Sequence, residues 1–374
     1  MKNKAQVRTL VFRTDADNNL LLTLLSFAAS ITITRAFLYV TGYPQLGGGE
    51  IHIAHVLWGG LIMFLALIIL LLFSNRWIHN VAAVLSGIGV GLFIDEVGKF
   101  ITQENNYFYP IAAPIIYVFF LLTLLVYIIV RRSRKPDARA LMYQALEELD
   151  EYLDHDFSAE EATAIEEKLH QISEQQDQQE LSKLAAHLLI FLREDEIVHP
   201  PHKHSLLEKW QLFKKNKLHV WLPRRRLRIM LTVAWLGWGI WSIIYPIQIL
   251  WNRQDTAALQ FMIREFVEAQ LIRGTTTLFW FQLRIGISAA LGLMMIIAAT
   301  LLFFRKDRVA ITMGFWALLL SLTAYNLLLF YFDQFSTIFN TIIQFIIMAG
   351  SIAYQREYLA KYTSKEQEEE YGTT

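Results

Sequence analysis

Long apolar runs separated by short charged segments constrain this chain more than any other feature of it. A run of about 20 apolar residues crosses the ~30 Å hydrocarbon layer as a helix, because each residue rises 1.5 Å and every backbone group bonds within the helix. Eight runs meet that standard: 20–40, 51–73, 81–102 and 111–130, then 227–250, 283–304, 309–331 and 335–354. The expected fold class is therefore an all-α integral membrane protein, with eight transmembrane helices in two groups of four.

Composition narrows the function. Only 18% of the 374 residues are charged, below the ~25% usual in soluble domains. Lys and Arg number 34, as do Asp and Glu, so the basic excess of a nucleic-acid binder is missing. With no cysteine in the chain, disulfides, thiolate metal sites and cysteine nucleophiles are excluded.

Charge in the connections predicts orientation through the positive-inside rule. One set of connections carries Lys2, Lys4, Arg8 and Arg13, then Arg76, then Arg131, Arg132, Arg134 and Lys135. The same set continues with Lys214, Lys215, Lys217 and Arg224 to Arg226, with Arg305, Lys306 and Arg308, and with Arg356, Lys361 and Lys365. The opposite set, 42–50, 103–109 and the turn at Asp333, has no Lys or Arg, and only 252–282 dissents. Both termini are therefore expected in the cytoplasm, with the chain in a bacterial plasma membrane. Ala28, Ala29 and Ser30 look like a signal-peptide cleavage site, but apolar character continues to Val40, which favours a retained helix.

The chain then organises as an N-terminal membrane region over 1–130, a cytoplasmic helical insert over 131–222, a C-terminal membrane region over 223–355 and a cytoplasmic tail over 356–374. In the insert, Leu141, Ala145, Leu149, Tyr152 and Leu153 recur at helical spacing. Ser158 with Glu161 three residues on opens a second helix to about Ser173, and a third is expected over 181–192. The basic stretch that ends the insert is expected against anionic headgroups. Ala258, Phe261, Met262, Phe266 and Leu271 predict an amphipathic helix over 256–273 on the outer surface.

Ionisable groups inside a bilayer cost roughly 2.5–3.5 kcal/mol each near its centre, so each needs a reason. Here they concentrate in the first three spans. Arg35 lies five residues before the end of the first span, His52 and His55 open the second just after Glu50, and Asp95, Glu96 and Lys99 lie in the last turns of the third. At 1.5 Å per residue all fall within about 10 Å of the outer boundary. His52 and His55 share a helix face, and Asp95 lies nearer to Lys99 than to Glu96 around a continuous helix. Gly87 and Gly91, four residues apart on the Asp95 side, predict close approach by another helix. The run 86–91 has alternate glycines but lies inside a span, which excludes a nucleotide-binding loop.

Three readings follow. The groups can form ion pairs that fasten helices, Arg35 with Glu96 or Glu50 and Asp95 with Lys99. They can form a pathway in which the histidines and acids change protonation as an ion or small solute passes. Or His52, His55 and Glu96 can hold a divalent metal, with Asp95, Glu96, Lys99 and Arg35 serving catalysis on a lipid or headgroup at the outer leaflet. Ion, proton or small-solute transport is the expected function, with the metal-dependent enzyme and a non-catalytic scaffold as alternatives. The expected partners are the lipid bilayer and a second copy of the chain. In the second half Arg284, Asn326 and Gln344 are polar points in apolar helices, expected to make interhelical hydrogen bonds.

Overall fold

A computed structural model describes residues 10–42, 54–103, 106–107, 109–132, 137–150, 159–174, 179–194, 223–251 and 275–359. Among them the chain is helical throughout, with no strand. Seven helical stretches are long and apolar enough to cross a membrane, the last running 53 residues from Asp307 to Leu359. By contacts the chain divides into two compact units, residues 1–101 with 119–208, and 102–118 with 209–374. The outer amphipathic helix expected over 256–273 lies outside the described residues, as do the basic stretch before Pro223 and most of the tail.

In the first unit, α1 (Ala16–Thr41), α2 (His55–Leu72) and α3 (Arg76–Asp95) pack on one another. α1 and α3 run parallel in one register, because residues about 60 apart meet along their whole length. Arg76 pairs with Asp15, its Nη2 donating to Oδ1 at 2.8 Å. Thr23 donates to the Ala83 carbonyl at 3.1 Å, Ser30 to the Ile88 carbonyl at 3.1 Å, and Arg35 meets Asp95 at 2.6 Å.

The alternate glycines of α3 explain this packing. A Cβ at Gly87 would stand 1.9 Å from the Ser26 hydroxyl, and one at Gly91 would stand 2.7 Å from Ser30 Cβ, so both face α1. Successive alternate residues point roughly to opposite sides of a helix. Gly89 accordingly faces α2, where a Cβ would stand 2.8 Å from the Gly59 carbonyl. Gly59 is its counterpart, with a Cβ there 2.6 Å from the Phe93 nitrogen. One helix thus takes a neighbour at backbone distance on each of two faces.

α3 does not continue to residue 102 as expected. It stops at Asp95, Glu96 adopts φ −90° and ψ 8°, and a one-turn α4 (Val97–Phe100) follows. α5 (Ala112–Arg131) contributes residues to both units. Then come α6 (Ala138–Glu148), which ends before Leu149, α7 (Ala159–Ser173) and α8 (Gln179–Glu194); Tyr152 and Leu153, expected on the first of these helices, lie outside the described residues. The three helices share a core of Leu141, Met142, Ala145, Ile165, Leu169 and Leu189. Asp137 caps α6 by accepting from the Ala140 N–H at 2.7 Å. Glu147 ties α6 to the residues before α1, accepting from Arg13 Nε at 2.6 Å and the Thr14 N–H at 3.0 Å. Burial pushes the Glu147 carboxyl up, but the Thr14 N–H and the Arg13 guanidinium outweigh it and hold the group below the usual glutamate range.

In the second unit, α9 (Arg224–Trp251) and α10 (Thr275–Phe303) cross where Gly239 meets Gly292, each without room for a Cβ. Then come α11 (Asp307–Leu320), a π-helical turn (Ser321–Tyr325), α12 (Asn326–Asp333), a 3₁₀ turn (Gln334–Thr337) and α13 (Ile338–Tyr354). Asn326 Nδ2 donates to Gln344 Oε1 at 3.1 Å and to Thr341 Oγ1 at 3.2 Å, and Ser321 donates to Gln344 at 3.3 Å. Residues 18 apart in one straight helix would be about 27 Å apart, so the stretch doubles back on itself. The reversal lies at Gln334, whose φ of 49° is the left-handed region. The π turn leaves the Leu322 carbonyl to accept from Tyr117 Oη at 2.6 Å.

Candidate functional site

Four helices of the first unit, α1 to α4, bring Arg35, His55, Asp95, Glu96 and Lys99 together at one end of the parallel α1–α3 pair. These are the residues that sequence reasoning placed in one layer. Of the two further groups expected there, His52 and Glu50, nothing can be added, because both lie outside the described residues.

The pairing differs from expectation. Arg35 pairs with Asp95, its Nε donating to Oδ1 at 2.6 Å, and Lys99 pairs with Glu96 at 2.8 Å. The cause is the break at Glu96. Arg35 Nη2 also donates to the Asp95 backbone carbonyl at 3.1 Å. In a continuous helix that carbonyl would accept from the Lys99 N–H, which instead bonds the Glu96 carbonyl at 2.9 Å. One guanidinium therefore holds both the side chain and the last free carbonyl of α3. The tightened turn brings Lys99 over Glu96, three residues before it.

His55, first residue of α2, lies between the two acids. Its Nε2 is 3.1 Å from Asp95 Oδ2 and its Nδ1 is 3.2 Å from Glu96 Oε1. Asp95 is fully buried, Glu96 is 1% exposed and Arg35 is 7% exposed, while His55 and Lys99 are partly open at 20% and 25%. Glu96 Oε2 is buried and has no hydrogen-bond partner among the described residues.

This arrangement has a consequence for protons. A neutral imidazole has one N–H donor and one acceptor nitrogen, and carboxylate oxygens only accept. A neutral ring can therefore donate to only one of the two acids at a time. Both nitrogens of His55 are directed at carboxylates rather than at a shared metal position. Among the described residues no three His, Asp or Glu side chains are placed to hold one ion.

The polar points of the second unit form interhelical contacts, as expected. Arg284 makes a two-pronged pair with Asp333 at 3.0 and 2.6 Å, and Asn326 with Gln344 forms the buried amide contact already described. Sequence reasoning missed Gly59 and the joint of Arg224, Asp307 and Tyr354. The second was legible only as an acid, Asp307, set among basic residues.

No relative clarifies this geometry. No protein-family model matches the chain, and neither a curated protein nor a solved structure matches it.

Proposed function

We propose that the chain is an eight-span protein of a bacterial plasma membrane, with both termini cytoplasmic, and that the cluster at Asp95 passes protons in support of ion or small-solute transport. The doubling back at Gln334 supports eight crossings. At 53 residues, the stretch from Asp307 to Leu359 is about 80 Å of helix against a ~30 Å layer. The alternation of connections rich in Lys and Arg with connections that, 252–282 apart, have none supports this orientation, and with it a cluster in the outer half of spans one to three.

The observation that carries the proton reading is the imidazole held between two buried carboxyl groups. A proton added to this cluster can reside on Glu96, on the ring or on Asp95. A proton taken up at Glu96 Oε2 reaches His55 Nδ1 when the carboxyl group rotates, and the ring then gives its Nε2 proton to Asp95 Oδ2. Arg35 and Lys99 keep each acid in place and compensate its negative charge. His55 and Lys99 supply the partly open side through which the proton enters.

The test is proton flux in liposomes that contain purified protein and an internal pH-sensitive dye, under an imposed membrane potential. His55→Gln and Glu96→Gln, each shown to be folded, are expected to lose flux at least tenfold. Undiminished flux in both folded variants overturns the reading. Near-stoichiometric metal in the same purified protein, lost on His55→Ala, moves the assignment to the metal-dependent enzyme.

A further inference from the structure

We propose that the ends of α9, α11 and α13 in the second unit bind the phosphate of an anionic phospholipid. Buried Asp307 joins these ends: its Oδ2 accepts from Arg224 Nη2 at 2.9 Å and from Tyr354 Oη at 2.6 Å. Tyr354 is fully buried and Asp307 is 6% exposed, so the joint fixes where the neighbouring side chains stand. Asp307 compensates Arg224. Around it Arg225 and Arg226 on α9, Arg305, Lys306 and Arg308 at the turn into α11, and Arg356 after α13 are all exposed.

Arg305 sharpens the case. α10 ends with the Lys306 N–H on the Leu301 carbonyl at 2.9 Å and the Arg305 N–H on the Leu302 carbonyl at 3.2 Å. This is the closing turn in which glycine usually takes the left-handed position. Arginine takes it here, at φ 62°, where an L side chain is strained. The strain sets a guanidinium beside Lys306 at the start of α11, whose opening N–H groups also favour an anion.

Phe303 and Phe304 immediately precede it, 71% and 67% exposed, with their rings edge to face at 5.5 Å. Exposed phenyl rings on one side of the turn and cations on the other match the two parts of a phospholipid, acyl chain and phosphate. A free phosphate would use only the second part. The proposal rests on reading these helices as membrane spans.

The experiment measures the thermal unfolding midpoint of the full chain in a neutral detergent. The additions are phosphatidylglycerol, phosphatidylcholine at the same mole fraction, or inorganic phosphate. Phosphatidylglycerol is expected to raise the midpoint by several degrees more than phosphatidylcholine does, and phosphate is expected to leave it unchanged. Arg305→Gly is expected to keep or raise the lipid-free midpoint, since glycine takes this φ without strain, and yet to lose at least half of the phosphatidylglycerol response. Adding Lys306→Gln and Arg308→Gln is expected to abolish it. Equal responses to the two lipids, a full response in Arg305→Gly, or the same rise from inorganic phosphate overturns the proposal. A chain that stays dispersed without detergent contradicts the membrane spans themselves, which is a separate failure.

Discussion

Replacing Asp95 with alanine removes the carboxylate from a guanidinium that is 7% exposed. Arg35 keeps its bond to the Asp95 backbone carbonyl but carries its charge into an apolar layer. Breaking a buried pair by deleting one partner costs about 3–5 kcal/mol. On insertion scales a lone arginine costs roughly 2.5–3.5 kcal/mol at the bilayer centre, which bounds from above the cost at Arg35 nearer the boundary. The two figures overlap, so Asp95→Ala is expected to destabilise the protein by about 3 kcal/mol. Most of that is the burden of the remaining charge. Adding Arg35→Met removes the burden and fills the space, and the double variant is expected to recover at least about 2 kcal/mol, since apolar replacements of a buried pair are often neutral. Asp95→Asn keeps the shape and the acceptor and lies between, at about 1.5 kcal/mol or somewhat more. Unfolding by dodecyl sulfate in mixed micelles, followed by tryptophan fluorescence, measures all three against the wild type. A double variant no more stable than Asp95→Ala refutes the ion-pair account of this contact.

Neighbouring glycines on α2 are expected to respond in opposite directions. Gly59→Ala drives a methyl group into the α3 backbone and destabilises, whereas Gly60→Ala meets nothing within 4 Å and gains up to about 1 kcal/mol of helix propensity; the same unfolding assay reads both. Glu147 has its carboxyl held low in the folded chain, so its contribution is full above the ordinary glutamate value and is lost as pH falls through the lowered folded value. Hydrogen-exchange protection factors in α6, corrected for the intrinsic pH dependence of exchange, should therefore fall in acid for the wild type, and Glu147→Gln should show lower protection at neutral pH and no further fall across that window. Tyr117→Phe deletes the 2.6 Å bond to the Leu322 carbonyl and should cost about 1–1.5 kcal/mol in the unfolding assay.

The spans were legible because length and apolar character alone decide whether a helix can cross a bilayer. Their ends were less so: the apolar run counts from Leu227, while helix bonding runs back through Arg226 and Arg225 to Arg224. That Arg35, Asp95, Glu96 and Lys99 come together followed from counting residues along helices. Their pairing did not, because it depends on a helix break at Glu96 and on a partner 60 residues away. Gly87 and Gly91 announced a close neighbour, yet the role of Gly89 required knowing that a second helix approaches from the other side. The Asp307 joint depends on three helix ends that lie up to 130 residues apart in the chain, beyond any local pattern.

The matched register of α1 and α3 also limits how the first unit can move. With Asp15 on Arg76 at one end and Arg35 on Asp95 at the other, neither helix can slide or rotate against the other without breaking both clasps and pulling seryl and threonyl hydroxyls off their carbonyls. The pair is in effect a stator. α2 meets it across a bare glycine contact, at Gly59 on Gly89, and carries His55 at its tip. With His55 3.1 Å from one carboxyl group and 3.2 Å from the other, any displacement of α2 against the pair would change both imidazole–carboxyl gaps. On the proposed proton reading, both transfer distances at the cluster thus hang on where one helix seats.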